Sequence, residues 1–496
     1  MKIVRMEYQN EGILKKSIRG GIWMTLNTIA QRVLAIGTFF ILARILTPED
    51  FGIMAIIFLV PPLLDLALTM DFDTALIRSA TDDPRQYYNA IWTINVLRSF
   101  IVFALVFVFG NMIAMFFHIE NAAFALKLGG IFVLIQGLGN VAQLMFFKEL
   151  DFQKVFVRDM LSRIAYSVVA VLLAWYLRSY WALFFANIAL YATAVIATYV
   201  LCPFRPSFTM EWYHLKRFLG YSKWLYGQGI LGELSGTLEN MVIGRFLGAT
   251  EVGLYTRAKA LATTPTAPLM SVINKVGFPA YARLRGSAEK VKEGYLKSLD
   301  ILMFIGIPFV VLTLAASRRL ILIALGPQWI ALDILFKILV VATVFQTIFS
   351  LSSALFNALG FSRFQLYVGI LNTTIIAILI FILTPLYGVM GTAIAVLMNA
   401  GIMSLIVFYK TNRLVGVRVQ DAINTISVPL GASLIVWFIG QRVIQFGDLG
   451  DTAFIALITA LGIFYAALIW LGGTILKTGP YQTLLTVWHE TKRQRV

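Results

Sequence analysis

Long apolar runs, separated by short polar segments, dominate the hydropathy pattern of this chain. A membrane-spanning helix needs about 20 mostly apolar residues to cross the hydrocarbon core of a bilayer. Fourteen runs are long enough, so the pattern predicts an all-α integral membrane protein with about 14 transmembrane helices. The predicted spans, numbered 1 to 14 in chain order, lie near residues 18–43, 51–70, 89–117, 122–147, 156–177, 181–202, 222–246, 251–274, 299–317, 329–356, 364–384, 387–409, 422–440 and 453–475.

The amino-acid composition supports a membrane protein and excludes most soluble classes. Of the 496 residues, 59% are apolar and 13% are charged, whereas soluble domains run at about 45–50% and about 25%. The single cysteine, Cys202, also excludes intrachain disulfides and zinc clusters built on paired cysteines. A water-soluble enzyme and a secreted disulfide scaffold are therefore both ruled out.

The net charge of +16 is explained by the distribution of basic residues among the loops. Fourteen spans place both termini on one side of the membrane. Of the 41 Lys and Arg residues, 28 lie on that side, six lie on the other side, and seven lie within spans. The positive-inside rule therefore predicts that both termini are cytoplasmic. The basic charge then reports topology, and nucleic acid is not an expected partner.

Two stretches of the chain resemble each other at a nearly constant offset. Residues 44–55 align with residues 245–256 at an offset of 201, and residues 147–154 resemble residues 356–363 at an offset of 209. Spans 2 and 8, which correspond in this alignment, each contain two prolines. The chain thus reads as two parallel six-helix repeats plus two C-terminal helices, an arrangement typical of transporters whose pathway lies between the repeats.

The repeat predicts the following division of the chain. We expect a first six-helix bundle at 1–207, an amphipathic cytoplasmic linker at 208–221, a second six-helix bundle at 222–410, and two extra helices with a basic cytoplasmic tail at 411–496.

Three short segments carry a family resemblance. Gly21-Ile-Trp23, the Ala43–Gly52 segment after span 1, and its counterpart Arg245–Tyr255 resemble bacterial polysaccharide flippases of the multidrug/oligosaccharidyl-lipid/polysaccharide exporter superfamily. The branch they resemble is Wzx-type and includes colanic-acid and teichuronic-acid exporters. The resemblance implies an inner-membrane protein that moves undecaprenyl-pyrophosphate-linked oligosaccharide from the cytoplasmic to the periplasmic leaflet. It makes a polysaccharide polymerase and glycosyltransferases candidate partners, beside membrane lipid.

Basic residues inside the spans are the candidate substrate-binding groups. A charge in hydrocarbon costs about 2.5–3.5 kcal/mol on insertion scales, so each one requires a partner or a function. An arginine-lined cavity can bind a pyrophosphate and acidic sugars through bidentate, charge-assisted hydrogen bonds. In the alternative interpretation, these residues pair with Glu233, Glu239 or carbonyl groups and hold the bundle together. The candidates for a cationic cavity are Arg32, Arg98, Arg163, Arg257 and Lys259.

Other charged and motif-like residues receive separate interpretations. Glu233 is deep in span 7 and is the acidic candidate for proton or sodium coupling, with a salt bridge as the alternative. Asp333 and Lys337 are four residues apart, so they are expected to pair on one helix face. The glycines of 227–232 match a dinucleotide motif literally, but they lie in a predicted span with no preceding strand. No ATP-binding motif, cofactor or metal site is expected.

Two other functions stay open from the sequence alone. A cation-coupled multidrug exporter of the same superfamily would be expected to use acidic cavity residues, whereas the deep charges here are mostly basic. A membrane polysaccharide polymerase or ligase has a similar number of spans but usually carries a large periplasmic loop. The predicted outer loops of this chain are about a dozen residues at most, which favours transport.

Overall fold

The computed structural model describes residues 2–68, 85–209, 223–266, 270, 278–284, 286–446 and 450–476, and the regular secondary structure of this part of the chain is helical. It contains two compact units, Met1–Gly253 and Leu254–Val496. Most of the predicted linker at 208–221, and the tail beyond residue 476, lie outside the described residues.

The first unit is built from helices that correspond to spans 1 to 7. They are α1 (Lys2–Ile45), α2 (Pro48–Ile57), α3 (Val60–Leu68), α4 (Arg85–Phe116), α5 (Ala123–Leu128), α6 (Ile131–Gly137), α7 (Leu144–Lys148), α8 (Phe152–Leu177), α9 (Trp181–Leu201) and α10 (Lys223–Leu247). Helix α8 packs along both α9 and α1. Small buried residues such as Ala170, Ala174 and Ala186 permit the close approach of α8 and α9.

The second unit continues the helical pattern. Its helices are α11 (Ala249–Thr263), which begins in the first unit, α12 (Phe278–Arg283), α13 (Ala288–Ala324), α14 (Leu332–Ala358), α15 (Ser362–Val415), α16 (Val419–Phe446) and α17 (Asp451–Leu476). Helix α13 packs against α14 and α16, and α14 packs against α15.

The helices confirm the predicted all-α membrane fold. Among the described residues, nine helices are long and apolar enough to cross a membrane, or ten if a bent pair at 120–137 and 141–148 is one span. Helix α15 is one of these nine and contains predicted spans 11 and 12. Spans 2 and 7 lie on α2–α3 and α10, and span 8 begins on α11; residues 69–70, 222, 267–269 and 271–274 of these spans lie outside the described residues.

Two spans are interrupted, each for a local reason. Span 2 breaks between Ile57 and Val60, just before Pro61 and Pro62, which lack the amide hydrogens of a continuous helix. Span 4 is not the single helix that its apolar run predicts. Its two parts meet at an angle of 62°, and Asn140 at the break donates from its side chain to the carbonyl oxygen of Phe204 at 2.7 Å.

The long helix α15 also contains a true break. Gly388 has φ 62° and ψ −151°, a backbone conformation that is essentially restricted to glycine. Thr384 and Thr392, on either side of the break, are buried and joined by a 2.7 Å hydrogen bond between their hydroxyl groups. The break lies just inside predicted span 12, two residues beyond the predicted turn at 385–386.

The first compact unit extends beyond the predicted first repeat, which ends at residue 207. Helix α10 packs against α2 and α3, and the unit therefore runs to Gly253. A compact unit is defined by contacts, whereas a repeat is defined by duplication. The division into repeats thus stays a prediction.

Candidate functional site

A polar cleft lies inside the first unit, where the break in span 4 opens the bundle. The cleft is open to solvent, and its volume, including the solvent-filled entrance, is about 620 Å³. Helix α3 contributes Asp65, α4 contributes Asn95 and Arg98, and the broken span contributes Gln136 and Gln143. Five polar side chains in an otherwise apolar bundle make this cleft the candidate site.

An ion pair lies at the wall of the cleft. The Arg98 Nε atom is 3.4 Å from Asp65 Oδ1, and their side chains are 18% and 27% exposed. Both charges are largely withdrawn from solvent, so each offsets the desolvation of the other. The pair also contributes no net charge to the cleft.

A chain of hydrogen bonds leads from the cleft to α1. Arg158 on α8 donates to the Gln143 side chain at 2.6 Å and to the Asp159 carboxylate at 2.6 Å. The other oxygen of Asp159 accepts a hydrogen bond from the Asn27 side chain at 2.8 Å. Planar guanidinium and amide groups can satisfy two partners at once, which makes such a chain stable in a low dielectric.

The same interface between α1 and α8 carries further polar contacts, which we call the polar ladder. Its members on α8 are spaced four residues apart, so they share one face of the helix. In a membrane, side-chain hydrogen bonds of this kind hold neighbouring helices together. The three pairs are Asn27 with Asp159 at 2.8 Å, Gln31 with Arg163 at 3.1 Å, and Thr38 with Ser167 at 2.7 Å.

The sequence-predicted residues fall at different places. Arg98 lies in the cleft and Arg163 in the polar ladder, while Arg32 is half-buried on α1 beside Gln31. Arg257 and Lys259 are half-buried on the part of α11 that belongs to the second unit. Arg98 thus lines the cleft, and Arg163 lies on the same face of α8 as Asp159, whose hydrogen bonds lead to the cleft. Their role in binding substrate stays a prediction.

The acidic residues also differ in their surroundings. The Glu233 side chain is exposed on α10, whereas Glu239, on the same helix, is buried. The predicted pair of Asp333 and Lys337 is confirmed, with 2.8 Å between the Asp333 Oδ2 and Lys337 Nζ atoms. Ser317 also donates a hydrogen bond to Asp333.

Sequence reasoning missed the neutral polar side chains of the site and one arginine. Asn27 and Gln31 on α1, and Asp159 and Arg163 on α8, each stand four residues apart. That spacing, inside apolar runs, is a signal the sequence does contain. The residues missed are Asn27, Gln31, Asn95, Gln136, Gln143 and Arg158. Within the described ranges, no group of three or more His, Cys, Asp or Glu side chains is placed to hold a metal ion.

Comparison with known proteins shows the family to which the chain belongs. The sequence model described as "Polysaccharide biosynthesis protein" matches residues 41–332, which is more than half of the chain. The chain belongs to this family. One relative, the teichuronic acid biosynthesis protein TuaB of Bacillus subtilis (strain 168), is 22% identical over 360 residues. The match covers 72% of this chain and 74% of that protein.

Solved structures show the fold of this family member. The lipid II flippase MurJ in an inward closed conformation matches with a TM-score of 0.73 at 13% identity, covering 92% of this chain and all of that one. An inward-facing multidrug resistance MATE family transporter matches with a TM-score of 0.59 at 16% identity, covering 78% and 94%. The predicted family resemblance is therefore confirmed: the chain is a multi-span membrane protein of the polysaccharide biosynthesis family, with the fold of MurJ and of MATE transporters.

Proposed function

We propose that this protein is a flippase for undecaprenyl-pyrophosphate-linked oligosaccharide repeat units. It moves them from the cytoplasmic to the periplasmic leaflet of the inner membrane, by alternating access, for the assembly of a surface polysaccharide. Both termini are cytoplasmic in this proposal. The observation that carries it is the arginine-containing polar cleft, with its hydrogen-bonded chain to α1, in a member of the polysaccharide biosynthesis family.

The cleft suits reversible binding of an anionic headgroup. Asp65 holds the Arg98 guanidinium in place while no substrate is bound. A phosphate oxygen that reaches the guanidinium makes a charge-assisted contact of the same kind as the one Arg98 makes with Asp65. Arg32 on α1 and Arg163 on α8 are further basic candidates in the first unit, and Arg257 and Lys259 on α11 are basic candidates in the second unit.

The membrane potential can drive the proposed transport. Moving one elementary charge through 100 mV changes the free energy by about 2.3 kcal/mol. Because the cell interior is negative, an anion moves outward downhill, and the proposal needs no ATP site. Transport could be coupled in addition to the movement of protons or sodium ions, and Glu233 is the candidate residue for binding the coupled ion.

Deletion of the gene tests the proposal. We expect lipid-linked repeat units to accumulate on the cytoplasmic leaflet, and surface polysaccharide to be lost. Complementation with Arg32→Ala or Arg257→Ala is expected to leave export abolished, because each removes a cationic group from a span while the protein still inserts. The exposed Arg283→Ala is the matched control and should restore export. If Arg32→Ala and Arg257→Ala both still export, the two arginines have a structural role and do not bind substrate.

The second candidate is a cation-coupled multidrug exporter of the same superfamily. The fold shared with a MATE transporter and the acidic Asp65 in the cleft favour it. The deletion strain would then keep its polysaccharide and become sensitive to cationic dyes. A third function, a polysaccharide polymerase or ligase, predicts repeat units that reach the periplasmic leaflet but stay unpolymerised.

A further inference from the structure

Two glycines mark an unusually close crossing of helices within the first unit. Gly52 lies on α2, and Gly253 lies on the first turns of α11. A Cβ atom at Gly52 would overlap the carbonyl oxygen of Ala249 and lie 2.5 Å from its carbonyl carbon. A Cβ atom at Gly253 would overlap the carbonyl oxygen of Pro48 and lie 2.8 Å from its carbonyl carbon. Only glycine fits at either position while the backbones stay where they are.

The crossing is reciprocal, and it follows the repeat seen in the sequence. Gly52 and Gly253 are 201 residues apart, and so are Pro48 and Ala249, which is the offset of the repeat alignment. Each glycine therefore faces the carbonyl group at the start of the other helix. The hydrogen atom that takes the place of a side chain points at that oxygen, the geometry of a Cα–H···O contact between helices.

Polar contacts hold the chain on both sides of the crossing. Arg245, at the end of α10, donates to the carbonyl oxygen of Phe116 at 2.9 Å and lies 2.7 Å from Nε2 of His118. The Asp50 carboxylate on α2 accepts hydrogen bonds from the amides of Thr47 at 2.9 Å and Tyr180 at 2.8 Å. These partners lie in linkers that the positive-inside count places on the periplasmic side.

We propose that the glycine crossing and the Arg245 contacts form the outer clamp of the transporter. The clamp is made while the periplasmic side is closed, and it separates when the pathway opens outward. Backbone contacts of the Cα–H···O kind are weak individually, so they can be remade in each cycle, whereas interlocked side chains would resist separation. The proposal rests on the alternating access and the orientation of the proposed function.

Alanine substitutions test the clamp directly. In Gly52→Ala and Gly253→Ala, the new methyl group meets backbone, so the two helices must move apart and the closed state is disfavoured. Gly236→Ala on α10 is the matched control, because nothing lies within 4 Å of its Cβ position. All variants are made in the full-length protein.

Thiol labelling from outside the cell provides the readout. Cys202 is replaced by serine, and the fully buried Val252 next to the crossing is replaced by cysteine. We expect an impermeant maleimide to label the cysteine at position 252 about tenfold faster in either glycine variant. A tenfold change corresponds to a loss of about 1.4 kcal/mol in the free energy that favours the closed state over the open state. The Gly236→Ala variant should label as slowly as the parent. Export should fall only in the clamp variants.

Arg245→Gln provides a second test that leaves both glycines in place. It should accelerate labelling in the same direction, since it removes the charged contact to Phe116 and His118. The clamp is overturned if labelling is unchanged in Gly52→Ala and Gly253→Ala. If the glycine variants fail to fold, unchanged labelling in Arg245→Gln overturns it instead. Faster labelling in a strain whose polysaccharide is unaffected by gene deletion would instead support the clamp and refute the proposed function.

Discussion

Asp65 and Arg98 illustrate how the bundle accommodates charge inside an apolar environment. Each side chain is less than one third exposed, and their closest atoms are 3.4 Å apart. The pair is worth little as a net source of stability, because the desolvation of both groups opposes their attraction. Removing one partner is costly, however, since the other charge is then buried without compensation.

This reasoning makes a prediction for the pair. Arg98→Gln and Asp65→Asn should each destabilise the purified protein by about 3 kcal/mol, the cost of leaving one buried charge uncompensated. The double variant should recover most of that loss, because it leaves no charge behind. Thermal unfolding of the detergent-solubilised proteins measures the coupling between the two residues.

Export separates the structural and functional roles of Arg98. If the guanidinium binds an anionic headgroup, the double variant is stable but does not export. Wild-type export by a stable double variant would show that the pair only holds α3 and α4 together. Lys154→Ala, which removes a surface ion pair to Asp151 with a 3.1 Å separation, is a control expected to change neither property.

At the scale of elements, the sequence predicts the membrane spans well, but it predicts only some of the breaks within them. Hydropathy summed over about 20 residues identifies a membrane helix almost regardless of the individual side chains. Pro61 and Pro62 also mark the break in span 2 from sequence alone. The break in span 4 has no such mark, because it depends on the bond of Asn140 to a carbonyl group 64 residues later in the chain.

The same limit applies to the candidate site. Charges such as Arg98 and Arg163 stand out in an apolar run, so the sequence identifies them. Gln31, the partner of Arg163, and Gln143, the partner of Arg158, do not stand out, because the rotation of a helix cannot be read from a uniformly apolar run. Which polar side chains face each other is decided by the packing of α8 against α1 and of α4 against α3 and α6.

The break at Gly388 in α15 carries an element-scale prediction. Its φ of 62° and ψ of −151° cost a residue with a side chain on the order of 1–3 kcal/mol. We expect Gly388→Ala to lower the thermal midpoint, since the backbone at the break would be strained. Gly401→Ala, at a helical position with nothing within 4 Å, should be neutral or slightly stabilising. Equal midpoints for both variants would contradict the argument.

At the scale of the whole molecule, the predicted topology can be tested with reporter fusions. Fourteen spans and the excess of basic residues predict that both termini are in the cytoplasm. A green fluorescent protein fused after Val496 should therefore fluoresce, and an alkaline phosphatase fused in the 447–449 linker should be active. The opposite pattern, with an inactive phosphatase and a dark C-terminal fusion, would reverse the orientation and move the outer clamp to the cytoplasmic side.

The polar ladder has a consequence for the biosynthesis of the protein. Helix α8 carries Arg158, Asp159 and Arg163, and each costs about 2.5–3.5 kcal/mol in a lipid-exposed helix centre. Their partners Asn27 and Gln31 are synthesised 132 residues earlier than Asp159 and Arg163, respectively. We therefore expect α1 to stay beside the insertion machinery until α8 emerges, because its polar side chains lower the cost of inserting the charges of α8. In that case α1 acts as an intramolecular chaperone for α8.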